Sequence, residues 1–271
     1  FLLRCLALVL VILVLARPQT TNKWQNSEIE GIDIMLAIDV STSMLAEDLK
    51  PNRLEAAKDV AAEFINGRPN DNIGITLFAG ETFTQCPLTV DHAVLLDMIH
   101  NIKCGLITDG TAVGMGIANA VTRLKDSKAK SKVIILLTDG TNNKGDISPM
   151  TAAEIAKSFG IRVYTIGVGT NGMAPYPYPV GNTVQYVSMP VEIDEKTLTE
   201  IAGTTDGNYF RATSNSKLKE VYEEIDKLEK TKLNVKEYSK RDEEYHWFAL
   251  AAFLCVLLEV LLRNSVLKKI P

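Results

Sequence analysis

Carboxylate and hydroxyl side chains follow a nearly continuous apolar stretch near the start of the chain. Asp39, Ser41 and Ser43 stand at alternate positions after residues 32–38. Such a stretch is typical of a strand that is buried on both faces of a parallel sheet. Oxygen donors just past its carboxyl end would lie where open α/β sheets bind ligands, and divalent cations such as Mg²⁺ prefer oxygen. The alternative is that these residues form a turn or cap a helix.

Two later stretches add oxygen donors of the same kind. Asp139 follows a second apolar strand at residues 133–137, and Thr111 stands at the start of an amphipathic helix. If both strands belong to one parallel sheet, their carboxyl ends share an edge. Thr111 also suits the N-cap of its helix, and Thr141 in the second Asp-Gly-Thr could contribute in its place.

The five residues together resemble a known metal site. Asp39, Ser41, Ser43, Thr111 and Asp139 are similar to the metal-ion-dependent adhesion site of von Willebrand factor A domains, over roughly residues 30–230. The resemblance implies that the three hydroxyls bind the cation directly, while the two carboxylates bind it directly or through water. It implies Mg²⁺ as the expected cation, with Mn²⁺ or Ca²⁺ as alternatives. One coordination position would stay open for a carboxylate of a protein partner.

The elements that must position these residues alternate between strand and helix. We predict strands over about residues 32–38, 72–79, 82–85, 133–137, 161–168 and 208–211. We predict helices over about residues 53–66, 91–102, 111–124, 148–159, 194–202 and 214–230. This alternation predicts an α/β fold over residues 31–232, with a doubly wound, mostly parallel central sheet flanked by helices.

Residues 170–190 interrupt the alternation with four prolines and three tyrosines. An insertion this long inside a compact domain is often functional, and exposed tyrosines suit a surface that binds a partner. The alternative is a hairpin that packs on its own domain.

Both ends of the chain are apolar. We predict a transmembrane helix, truncated at its N-terminus, over residues 1–17, with a signal peptide as the alternative. Residues 18–30 form a linker, 233–245 a juxtamembrane segment, 246–263 a second transmembrane helix and 264–271 a cytoplasmic tail. A buried soluble helix is the alternative for the second span. Basic residues after residue 262 place the C-terminus in the cytoplasm and the middle domain outside.

Other functional classes find little support. The formal net charge of −4 argues against a nucleic-acid partner. The sequence contains no G-x-S-x-G, and Ser41 and Ser43 have no plausible histidine base, so we expect no enzyme. The G-x-G-x-x-G at residues 167–172 precedes a proline-rich run and not the helix that a dinucleotide site needs. Cys86 and Cys104 are interpreted as free thiols, with a disulfide as the alternative.

The whole plan of anchor, A domain and second span, with the stretch over residues 174–195, resembles the BatA-type proteins of bacterial aerotolerance operons. This resemblance implies a bacterial inner-membrane protein with a periplasmic A domain that binds partner proteins through its metal. The implied partners are sibling Bat membrane proteins, a MoxR-type AAA+ ATPase and the lipid bilayer. The alternative is a substrate-adaptor subunit of an ATP-driven metal-insertion or remodelling machine, with the A domain facing the cytoplasm.

Overall fold

The computed structural model describes residues 2–16, 19–20, 31–170, 172–180, 183–237, 242–243 and 245–265. The chain divides into two compact units. One unit comprises Ile29–Leu233, and the other joins Phe1–Glu28 to Asn234–Pro271. The predicted linker at residues 18–30 and the tail at 264–271 lie largely outside the described residues.

The larger unit contains a six-stranded sheet and a separate two-stranded hairpin. The sheet strands are β2 (Asp33–Asp39), β3 (Asn72–Phe78), β4 (Thr82–Thr89), β5 (Lys132–Thr138), β6 (Ile161–Val168) and β9 (Tyr209–Ala212); a two-residue β1 (Gln19–Thr20) precedes them. Their spatial order is β4-β3-β2-β5-β6-β9, and β4 alone among these six runs antiparallel to its neighbour. The predicted mostly parallel sheet is confirmed.

Helices lie on both faces of this sheet. They are α2 (Arg53–Asn66), α3 (His92–His100), α4 (Val113–Leu124), α5 (Pro149–Ser158), α6 (Glu195–Thr204) and α7 (Asn215–Glu237); α1 (Leu2–Leu15) and α8 (Tyr245–Ser265) belong to the smaller unit. Several of them begin at a side-chain cap, because Asn52, Asp91, Ser148 and Asp194 each accept a backbone N–H from the first turn.

Alternating side chains of the central strands divide the core into two layers. Ile34, Leu36 and Ile38 of β2 pack with α2, α3 and α7, whereas Met35 and Ala37 pack with α4, α5 and α6. All seven residues of β2 are buried, which explains why its sequence is apolar nearly throughout. The two layers hold the carboxyl ends of the strands in fixed register.

The insertion predicted at residues 170–190 is a hairpin of β7 (Met173–Val180) and β8 (Thr183–Pro190). Most of its side chains are exposed, including Tyr178 at 57% and Tyr186 at 60%. The alternative of a hairpin is therefore confirmed in its structure, but the hairpin presents much of its apolar surface to solvent.

The smaller unit contains α1 and α8, which pack against each other, and a pairing of β1 with β10 (Asp242–Glu243). α1 has 14 residues, fewer than the ~20 that a bilayer needs. No helix among the described residues combines the length and the apolar character required to cross a membrane. The two transmembrane helices predicted at residues 1–17 and 246–263 are therefore not found in this part of the chain.

Candidate metal centre

The two predicted carboxylates meet at the centre of the sheet. Asp39 is the last residue of β2, and Asp139 follows directly after the adjacent parallel strand β5. The chain crosses to β3 on one side of β2 and to β5 on the other, so this point is where the strand order reverses. Asp39 has no exposed surface, and Asp139 is 3% exposed.

The hydroxyls of the loop after β2 link these carboxylates. Ser43 Oγ donates to Asp139 Oδ1 at 2.7 Å, and Ser41 Oγ lies 3.0 Å from Ser43 Oγ. Asp39 Oδ1 accepts the backbone N–H of Ser41 at 2.9 Å, and its Oδ2 accepts Thr138 Oγ1 at 2.6 Å. Four of the five predicted ligands therefore converge on one small, buried cluster of oxygens.

Thr111 lies beside this cluster. A Cβ placed on Gly140 would be 3.3 Å from Thr111 Oγ1, so the threonine is packed against the residue after Asp139. Its backbone is held by Asn143, whose side chain accepts the Thr111 N–H at 2.9 Å. The N-cap of α4 is Ala112, so the interpretation of Thr111 as a helix cap is wrong. Thr141, the alternative ligand, is exposed.

A buried ion network that the sequence did not reveal adjoins the site. Arg53, which is 3% exposed, donates through Nη1 to Asp139 Oδ2 at 2.6 Å. Its Nε and Nη2 donate to the two oxygens of Asp48, each at 2.7 Å. The Thr170 N–H also donates to Asp48, at 2.8 Å, which connects the start of the hairpin to the network.

Burial makes it costly for Asp39 and Asp139 to be ionised at the same time without further positive charge nearby. Burial, with the negative charge of Asp139, raises the pKa of Asp39 to about 7. Burial also raises the pKa of Asp139, although Arg53 and Ser43 oppose the change. Burial acts against ionisation of Asp48 as well, but the hydrogen bonds from Arg53 and Thr170 outweigh it and lower its pKa to about 2.

These residues fit a divalent cation. With all groups ionised, Asp39, Asp48, Asp139 and Arg53 carry a formal charge of −2, which a divalent cation would balance. The donors are all oxygen, the chemistry that hard cations prefer. No group of three or more His, Cys, Asp or Glu side chains within the described ranges is arranged to hold a metal, so a cation held here would need hydroxyl ligands as well.

Other chemistry-bearing residues stand apart from this set or support it. Asp109 accepts both the N–H and the hydroxyl of Thr42, at 3.0 and 2.8 Å, and thereby fixes the loop that carries the serines. These hydrogen bonds outweigh desolvation and lower the pKa of Asp109. Cys104 donates to Ser41 O at 3.4 Å; both Cys86 and Cys104 are free thiols, so no disulfide joins them.

The chain matches the von Willebrand factor type A domain over residues 33–224. A protein of Borreliella burgdorferi is 28% identical over 98% of this chain and 78% of its own length. A UPF0353 protein of Mycolicibacterium paratuberculosis is 30% identical, over 82% of this chain and 67% of its own length.

Three solved structures are also similar. An aerotolerance-related membrane protein from Bacteroides fragilis is 32% identical, with a TM-score of 0.64 over 73% of this chain and 98% of its own. BatB from Bacteroides thetaiotaomicron is 34% identical, with a TM-score of 0.65 over 74% and 100%. Proximal thread matrix protein 1 from the mussel byssus, described with zinc in its metal-ion-dependent adhesion site, is 25% identical, with a TM-score of 0.58 over 73% and 45%. The chain belongs to the von Willebrand factor type A family.

Proposed function

We propose that this member of the von Willebrand factor type A family binds a divalent cation through Asp39, Ser41, Ser43, Thr111 and Asp139. The observation that carries the proposal is the convergence of two buried carboxylates and two serine hydroxyls at the switch point of the sheet. When bound, the cation would supply a Lewis-acidic position for an anionic group of a partner. The domain would then act as a metal-dependent protein-binding module and not as an enzyme.

The cellular setting of this module is a further part of the proposal. Two similar structures are described as an aerotolerance-related membrane protein and as BatB. We therefore place this chain at the bacterial inner membrane as a BatA-type protein, with its A domain in the periplasm. Sibling Bat proteins are the proposed binding partners, and a MoxR-type ATPase is the proposed functional partner.

The first test is calorimetric titration of the full chain with Mg²⁺, Mn²⁺, Ca²⁺ and Zn²⁺. Zinc is included because the mussel relative is described with zinc at its site. We expect one cation per chain, accompanied by a rise in melting temperature. A ligand at a hundredfold excess over its Kd stabilises the folded state by about 2.7 kcal/mol.

Two variants complete this test. Asp39→Ala should abolish both the binding heat and the rise in melting temperature, because it removes a buried carboxylate of the cluster. Thr141→Ala should change neither, because Thr141 is exposed and takes no part in the cluster. Equal cation binding by wild type and Asp39→Ala would refute the proposed site.

A further inference from the structure

A cleft opens between the candidate metal centre and the β7–β8 hairpin. Its cavity has a volume of about 260 Å³, enough for one or two side chains. One wall is polar and includes Thr42, Ser43 and Arg53. The opposite wall is formed by the hairpin and includes Tyr176, Tyr178 and Met189.

The strand pairing determines which hairpin side chains form this wall. Tyr176, Tyr178 and Met189 lie on one face of the hairpin, because cross-strand partners share a face and successive residues alternate. Val184, which pairs with Pro179, lies on the other face. The face that lines the cleft is thus aromatic and aliphatic, although Tyr178 and Met189 are 57% and 47% exposed.

Hydrogen bonds hold the hairpin beside the candidate metal centre, so the cleft is preformed. The Glu47 N–H donates to Pro175 O at 2.8 Å, and Tyr186 Oη donates to Glu47 Oε1 at 2.9 Å. At the start of the hairpin, Thr170 donates to Asp48. These hydrogen bonds keep an apolar surface exposed next to Ser43. The stability of the fold does not require that exposure.

We propose that this cleft selects the residue next to the metal-binding carboxylate of a protein partner, and that this residue is apolar. The occupant is an extended segment in which Asp or Glu is followed or preceded by an aromatic or large aliphatic side chain. The cation would supply the positive charge that an acidic residue needs, since Arg53 is the one charged side chain among the described residues that line the cleft, and its charge is more than offset by Asp48 and Asp139. The Arg53 guanidinium is already paired, so the acidic residue would face the cation; the inference therefore rests on the proposed function.

The test is selection from a random hexapeptide display library on the full chain in the presence of Mn²⁺. We expect enrichment of Asp or Glu, with an aromatic or large aliphatic neighbour favoured roughly tenfold over a polar one, the ratio typical of burying one such side chain. Met189→Ser should keep the acidic enrichment and lose most of the apolar preference. Val184→Ser is the matched control on the same strand, and it should retain both.

Calorimetric Mn²⁺ binding by every variant separates this inference from the proposed function. Normal Mn²⁺ binding and acidic enrichment without an apolar preference, or with a preference that Met189→Ser retains, would overturn the inference alone. Absence of both Mn²⁺ binding and acidic enrichment in wild type would overturn the proposed function and the inference with it.

Discussion

Arg53 gives the candidate site its one close counter-charge among the described residues, and its removal has a predictable cost. Arg53→Ala would leave the buried Asp48 and Asp139 without their partner. Breaking a buried ion pair by removing one partner typically costs about 3–5 kcal/mol. We expect a loss of this size in the free energy of unfolding, measured by urea denaturation in the presence of a metal chelator.

Arg53→Lys is the matched control for this prediction. It keeps the charge but cannot donate to both Asp48 oxygens and to Asp139 in the planar geometry of a guanidinium. We expect an intermediate loss, and saturating Mn²⁺ should reduce the loss in both variants. A loss below about 1 kcal/mol in Arg53→Ala would contradict the counter-charge role.

Residue types and spacing predicted which oxygen-bearing side chains meet at the candidate site, but not the arginine that pairs with one of them. Asp39, Ser41 and Ser43 are recognisable in the sequence because they follow a buried strand directly. Arg53 carries no such signal, since an arginine in the first turn of a helix is ordinarily exposed. Only the packing of α2 against the sheet buries its side chain beside Asp139, 86 positions away along the chain.

The residues before the hairpin contact the ion network beside the candidate metal centre. Gly169 has a φ of +139°, and a Cβ there would lie 2.8 Å from Arg53 Nη2. Gly169→Ala should therefore displace Nη2 from Asp48 and, because the guanidinium is rigid, weaken the hydrogen bond from Nη1 to Asp139. We expect weaker Mn²⁺ binding by calorimetry and a lower free energy of unfolding.

Gly172 provides the control for backbone strain at the same loop. Its φ is +105°, but among the described residues beyond its chain neighbours no atom lies within 4 Å of the position that a Cβ would take there. Gly172→Ala should carry the strain of a positive φ, on the order of 1–3 kcal/mol, while leaving Mn²⁺ affinity near the wild-type value. Equal Mn²⁺ affinities for the two alanine variants would show that the hairpin start does not act through Arg53.

Helices and strands with a regular hydrophobic period were predicted more accurately than the segment rich in proline and tyrosine. The prediction of α2 over residues 53–66 agrees with the structure because its apolar face and its Asn52 cap coincide. The pattern of residues 170–190 left open a partner-binding insertion or a hairpin, since prolines alternate with tyrosines and each proline lacks an N–H donor. The hairpin accommodates them because Ala174, Tyr176 and Tyr178 alternate with the prolines along β7 and keep the N–H groups that a ladder needs.

In the domain as a whole, the candidate metal centre and a buried ion cluster lie at opposite ends of the parallel strands. Asp39 lies at the carboxyl end of β2, whereas Arg162 lies near the amino end of β6 and bonds Glu229 of α7. The alternation of strands and helices predicted the α/β fold, because local periodicity reports which faces are buried. It did not predict the pairing of Arg162 with Glu229, since their partnership depends on how α7 packs across the finished sheet.

Glu229 should make the stability of the whole domain depend on pH. Its side chain is 1% exposed and accepts hydrogen bonds from Arg162, Tyr164 and Ser131. Burial opposes its ionisation, but these donors outweigh burial and hold its pKa below the usual value. A lowered carboxyl pKa stabilises the folded state fully above the unfolded pKa of about 4.3, and this contribution is lost as pH falls through the folded pKa.

The matching experiment compares urea unfolding of wild type and Glu229→Gln between about pH 7 and pH 3. We expect their difference in unfolding free energy to be constant at neutral pH and to shrink below about pH 4.3, because protonation makes the wild-type side chain resemble glutamine in charge. Glu224→Gln, an exposed site on the same helix, should show no such change. Glu229→Gln should also leave Mn²⁺ affinity unchanged, because the cluster lies at the edge of the sheet away from Asp39. A difference that stays constant to pH 3 would mean that Glu229 stabilises the domain by packing and not by its charge.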